Sequence, residues 1–101
     1  MDALTILKRE HTRISQLFRE LDALPERACL GRRALMREID DLVRRHMRME
    51  SAFNATAFAS SGATAWALLD ELAAMDCRDG SYAARIGMLR ELLLEHMGAV
   101  A

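Results

Sequence analysis

His46 and Glu50 are the residues of this chain whose types and spacing most directly suggest chemistry. They stand four positions apart in the stretch RRHMRME, which places an imidazole and a carboxylate on the same face of a helix. Converging imidazole and carboxylate groups are ligands for Fe, Zn or Mn. A similar stretch, LEHMGAVA, contains His96, but the position four residues later is Val100 and not a carboxylate. The first pair therefore predicts a metal site, and the alternative is a buried histidine beside a surface charge.

All three histidines of the chain fall on apolar stripes with the spacing of a buried helix face. Apolar residues precede and follow each of them at steps of three or four: Leu7 and Ile14 around His11, Leu42 and Met49 around His46, and Leu93 and Val100 around His96. Chance would place all three on such stripes about one time in twelve. The pattern favours a role for these histidines as metal ligands. The alternative for each one is a core histidine whose ring is hydrogen-bonded to a neighbouring residue.

The same apolar period predicts an all-α chain with four helices. They are expected over about residues 3–23, from 30–33 to 53, over 63–75, and from 81 to 100. Asp2 is the expected N-cap of the first helix, Pro25 follows its end, and Ser61 is a candidate cap for the third. The second helix is expected to fray between residues 53 and 59. Short loops between amphipathic helices predict a single domain over residues 1–101, an up-down-up-down four-helix bundle.

Such a bundle would place the three histidines at the same height along its axis. His11, His46 and His96 would each lie about 18–22 Å from the end that carries the first and third loops, at the helical rise of about 1.5 Å per residue. Glu50 would lie one helical turn beyond His46 on the same face. Two or three imidazoles and a carboxylate inside a bundle predict a transition-metal site.

Composition narrows the classes of function. The chain is 51% hydrophobic and 29% charged, with a formal net charge of −1, which predicts neither a nucleic-acid partner nor a membrane. No nucleophile or substrate pocket is indicated, so the protein is predicted not to be an enzyme. The N-terminus lacks a signal-peptide pattern, and the two cysteines, Cys29 and Cys77, are few. Together these features favour a cytoplasmic location with reduced thiols, and a thiol switch is the alternative.

Three stretches of the chain resemble the hemerythrin-like HHE cation-binding domain. The opening LTILKREHTRISQLFREL is similar to the first helix of that family, with His11 at its histidine. HMRME is similar to the second-helix HxxxE motif, and LRELLLEHM to the start of a second such motif on the fourth helix. The resemblance covers the layout of nearly the whole chain.

The resemblance implies a four-helix bundle around an oxo- or hydroxo-bridged di-iron centre. In that family, ligands on helices 1 and 2 serve one iron, and ligands on helices 3 and 4 mostly serve the other. Four positions of this chain match the implied ligands, namely His11, His46, Glu50 and His96. Two depart, because Gly62 stands at the helix-3 histidine and Val100 at the helix-4 carboxylate.

These departures predict an incomplete di-iron site or a mononuclear one. The expected function is non-enzymatic binding of iron, with Zn or Mn as alternatives, and of a small diatomic ligand such as O2 or NO, as the resemblance implies. The other hypothesis is a degenerate, metal-free domain that acts as an interaction or oligomerisation module.

The predicted bundle is short at the end that holds the metal site. Apolar residues are expected to be exposed there, namely Phe53, Phe58, Trp66 and Val100. A second copy of the chain would cover them, which predicts a homodimer.

Overall fold

The described part of the chain is entirely helical apart from its loops. A computed structural model describes residues 2–25, 27–53 and 62–100. Within these ranges there are four helices and no strand: α1 Ala3–Ala23, α2 Cys29–Phe53, α3 Gly62–Ala74 and α4 Tyr82–Val100. The predicted all-α class is confirmed. Helix α1 has the predicted bounds, α3 is displaced by one residue, and α2 begins at Cys29, ahead of the predicted start at 30–33.

The chain divides into two compact units, residues Met1–Ala57 and Phe58–Ala101. We call these the first and second units and describe each by itself. The single domain over residues 1–101, its up-down-up-down bundle and its shortened end stay predictions. Among the described residues, no helix combines the length and the apolar character that are needed to cross a bilayer.

Helix α1 begins at the predicted cap. The Thr5 backbone N–H donates a 2.8 Å hydrogen bond to the Asp2 carboxylate, and this bond holds the pKa of Asp2 below its usual value. After the helix ends, Leu24 N–H donates to the Leu21 carbonyl at 3.2 Å, and Pro25 then prevents further helix.

Helices α1 and α2 pack as an antiparallel hairpin that forms the first unit. Glu10 lies beside His46, whereas Arg13, further along α1, lies beside Glu38, which is earlier on α2. The apolar side chains buried in this unit are Leu7, Ile14, Leu17, Phe18, Leu21, Met36, Ile39, Val43 and Met47.

The buried face of α2 is shifted by one position from the predicted stripe. Leu42 and Met49 are only half-buried, whereas Val43 and Met47 are buried. Because α2 carries apolar residues at adjacent positions, the sequence period fits two overlapping faces. His46 lies on both predicted and observed faces.

Helices α3 and α4 form the second unit, joined by a loop that residue Asp79 organises. Its carboxylate accepts hydrogen bonds from the Ser81 N–H at 2.9 Å and the Ser81 hydroxyl at 2.8 Å. These bonds lower the pKa of Asp79. Arg85 donates to Glu71 across the two helices at 2.7 Å. The buried residues of the two helices are Ala65, Leu68, Leu69, Leu72, Tyr82, Ile86, Leu89, Leu93 and His96, together with Gly62.

Several sequence expectations fall on parts that are not described. Ser61, Phe58 and the stretch after Phe53 lie outside the described residues, as do the side chains of Phe53 and Val100. Trp66, the remaining member of the predicted apolar end, is half-buried.

The cysteines differ from expectation. Neither Cys29 nor Cys77 is a free thiol, so the expectation of two reduced thiols is wrong. The cytoplasmic location stays a prediction, and the cysteines no longer support it.

Candidate metal centre

The first unit brings His11, His46 and Glu50 together between α1 and α2. The Nε2 atoms of the two histidines lie 3.0 Å apart. Glu50 Oε1 lies 3.4 Å from His46 Nε2 and 3.7 Å from His11 Nε2. The side chains of His46 and Glu50 are 1% and 4% exposed, and that of His11 is 15% exposed. These three residues form a group that could hold a metal ion.

The three facing atoms have the spacing of metal ligands. Their separations of 3.0, 3.4 and 3.7 Å join the same three atoms in pairs. A triangle with these sides has a circumradius of about 2.0 Å, which matches the usual distances of about 2.0–2.2 Å from a zinc ion to imidazole nitrogen or carboxylate oxygen. The spacing of the three donor atoms therefore fits a transition-metal ion.

The local helix geometry explains this convergence. His46 and Glu50 are one turn apart on α2, so their side chains share a face. His11 enters from α1, and its ring meets the His46 ring edge-on, with 4.6 Å between centroids and 62° between planes. Because the Nε2 atoms point toward each other, the Nδ1 atom of His46 is left to contact another group.

That group is Glu10, which the sequence analysis missed. Glu10 Oε1 lies 3.1 Å from His46 Nδ1, and Glu10 Oε2 accepts a hydrogen bond from Arg45 Nε at 3.3 Å. A carboxylate behind a ligating histidine is a common arrangement in metal sites, because it orients the ring and raises its basicity. A signal was present: Glu10 stands three residues after Leu7 and four before Ile14, which is the buried spacing of α1.

The charges of this cluster are suited to a cation. With neutral imidazoles, Glu10 and Glu50 contribute two negative charges and Arg45 one positive charge. Both carboxylates belong to buried residues, where uncompensated charge is costly. A bound cation would place a positive charge beside these two carboxylates.

The other predicted positions lie in the second unit. His96 is a buried residue of α4, 9% exposed, and its role as a further ligand stays a prediction. Gly62 is the first residue of α3 and offers no side-chain donor. The side chain of Val100 lies outside the described part.

Fold and site together define a chain whose described part is built of helices and loops, with a largely buried group of two histidines and a glutamate that could hold a metal ion. Comparisons with protein-family models, with characterised proteins and with solved structures find no match to the chain. The resemblance to the hemerythrin-like family therefore stays a prediction carried by the sequence motifs.

Proposed function

We propose that this protein is a hemerythrin-like metal-binding protein that holds one iron ion through His11, His46 and Glu50. The observation that carries the proposal is the triangle of donor atoms, with sides of 3.0, 3.4 and 3.7 Å. Two imidazoles and one carboxylate with open positions are the donor set of mononuclear non-haem iron sites.

The proposed role is binding or sensing and not catalysis. An iron ion with three protein ligands keeps positions at which O2, NO or water binds. The protein's own contribution is to bury two of its ligands and to fix the directions of the imidazole rings. Zn and Mn are the alternative metals, because both accept imidazole and carboxylate ligands.

A single ion is proposed because the ligands implied for a second iron are missing. Gly62 has no side-chain donor, and the helix-4 carboxylate position is Val100. Of the positions on helices 3 and 4 that the resemblance implies for the second iron, only His96 carries a matching residue in the sequence. The proposed site is accordingly mononuclear.

Metal analysis and titration test the proposal. The purified protein is stripped with a chelator and titrated anaerobically with Fe(II), and separately with Zn(II), by calorimetry. One equivalent is expected for the wild type. His46→Ala should abolish binding, whereas Glu20→Gln, at an exposed position of α1, should leave it unchanged. Less than a tenth of an equivalent, with no change in melting temperature, would reject metal binding, and two equivalents would reject the mononuclear site.

A metal-free interaction module is the second candidate function. The observation that favours it is that, within the described ranges, every buried side-chain nitrogen and oxygen already has a hydrogen-bond partner without an ion. In this proposal the cluster of His11, His46, Glu50 and Glu10 is a polar core network that favours one packing of α1 on α2. A homodimer is part of this proposal, and sedimentation that shows a monomer at micromolar concentration would reject it.

A further inference from the structure

The contact between Glu10 and His46 bears on which nitrogen of His46 carries the proton. Glu10 Oε1 lies 3.1 Å from His46 Nδ1, and both residues are buried. With Glu10 ionised, its carboxylate only accepts hydrogen bonds, and Nδ1 is then the donor. With a neutral imidazole, which has one N–H, the lone pair is then on Nε2, where it can accept the 3.0 Å hydrogen bond from His11 Nε2.

We propose that Glu10 is a positioning residue that holds His46 in its Nδ1-protonated tautomer and thereby presents the Nε2 lone pair to the metal. The proposed tautomer rests on the 3.1 Å contact between Glu10 and His46. Its consequence for affinity rests on the proposed metal-binding function.

Glu50 makes this control necessary, because it competes for the same proton. Its Oε1 lies 3.4 Å from His46 Nε2. Without an acceptor at Nδ1, the imidazole gains a hydrogen bond by carrying its proton on Nε2 and donating it to Glu50. That tautomer has no lone pair directed at the ion, and it would have to rearrange before binding.

Arg45 fixes the orientation of the Glu10 carboxylate. Arg45 Nε donates to Glu10 Oε2 at 3.3 Å, while Oε1 is engaged by His46. Arg45 and His46 are consecutive on α2, so this helix holds both oxygens of a carboxylate that comes from α1. The Arg45 side chain is 67% exposed, and we therefore assign it an orienting role and not a large share of the stability.

The tautomer is read directly from the ring nitrogens of the metal-free protein. Long-range 1H–15N correlation spectra at about pH 8, where histidine is ordinarily neutral, distinguish protonated from unprotonated ring nitrogens. In the wild type we expect protonated Nδ1 and unprotonated Nε2 for His46. In Glu10→Met, which has a similar length and no acceptor, we expect the proton on Nε2. Glu20→Met, on the exposed face of the same helix, is the matched control and should leave the wild-type pattern.

Zn(II) affinity gives the second measurement. Glu10→Met retains His11, His46 and Glu50 and should bind Zn(II) about 10–100-fold more weakly than the wild type, the usual effect of losing such a partner. Glu10→Gln, which keeps the shape and one carbonyl acceptor, should lie between the two and replaces Glu10→Met if that variant does not fold.

The outcomes separate the two proposals. A wild-type protein that binds no Zn(II) or Fe(II) rejects the proposed function, while the tautomer remains measurable. A wild-type His46 protonated at Nε2, or an unchanged tautomer in Glu10→Met, rejects the role of Glu10. A changed tautomer with unchanged Zn(II) affinity also rejects it, because the tautomer would then have no bearing on the ligand.

Discussion

Removing the charge of Glu50 should abolish most of the stabilisation that a bound metal provides. A ligand that binds only the folded state stabilises it by about 2.7 kcal/mol when its free concentration is 100 times Kd. For a domain of about 100 residues, that free energy corresponds to a rise in melting temperature of about 10–20 °C. The wild type should show a rise of this size with Zn(II).

Glu50→Gln keeps the volume of the buried side chain and replaces the anionic oxygen with a neutral amide. Glu50 contributes one of three atoms in the donor triangle. Loss of at least 100-fold in affinity, the upper end for a supporting residue, would bring the ratio of metal to Kd from 100 to 1. The stabilisation would then be about 0.4 kcal/mol, which is a rise of about 2–3 °C.

Differential scanning fluorimetry with and without Zn(II) measures both values, and a chelator should reverse the wild-type rise. The metal-free melting temperature of Glu50→Gln should stay near that of the wild type, because the new amide can donate to His46 Nε2, which lies 3.4 Å from the present oxygen. Glu20→Gln controls for the loss of a charge elsewhere. An equal metal-induced rise in Glu50→Gln and the wild type would refute the assignment of Glu50 as a ligand.

Three further predictions concern the remaining ligand and the helices. His11→Gln should weaken Zn(II) binding at least tenfold in calorimetry, and unchanged affinity would reject His11 as a ligand. Ala28→Ser should stabilise the protein by about 1 kcal/mol in urea unfolding, because the Ala28 carbonyl accepts the first helical bond of α2, from Arg32 N–H at 2.9 Å, and alanine has no capping oxygen. Gly87→Ala should stabilise it by about 0.5–1 kcal/mol, because an added Cβ meets no atom within 4 Å, and a destabilised variant in the same assay would contradict this.

The helices were predictable because their signals are local. Asp2 caps α1 as its residue type predicts, and Pro25 follows the end of that helix. The face of α2 was less predictable, since apolar residues at adjacent positions such as Leu42 and Val43 satisfy two helical registers equally well. Only packing against α1 selects the register that buries Val43.

Three ligand candidates could be predicted, whereas their supporting partner could not. His46 and Glu50 share a face by spacing alone, and His11 follows from the antiparallel arrangement of neighbouring helices. Glu10 lies next to His11 in the sequence. The three- and four-residue spacing expected of ligands was satisfied by His11, and its neighbour was therefore not considered. Its role depends on a contact with His46 at 3.1 Å across the hairpin, and no sequence period encodes which side chain lies behind a ligand.

The placement of the site within one hairpin bears on how many ions it binds. His11, His46, Glu50 and the supporting Glu10 all come from α1 and α2, and their contacts are formed inside the first unit. In the resembled family, ligands from helices 1 and 2 serve one of two irons. Under the proposed function, the hairpin therefore holds one ion, with Glu10 supporting the His46 ligand. The donors that the resemblance implies for a second ion would stand at Gly62 and Val100, which carry no side-chain donor, so one equivalent of metal is the expected stoichiometry.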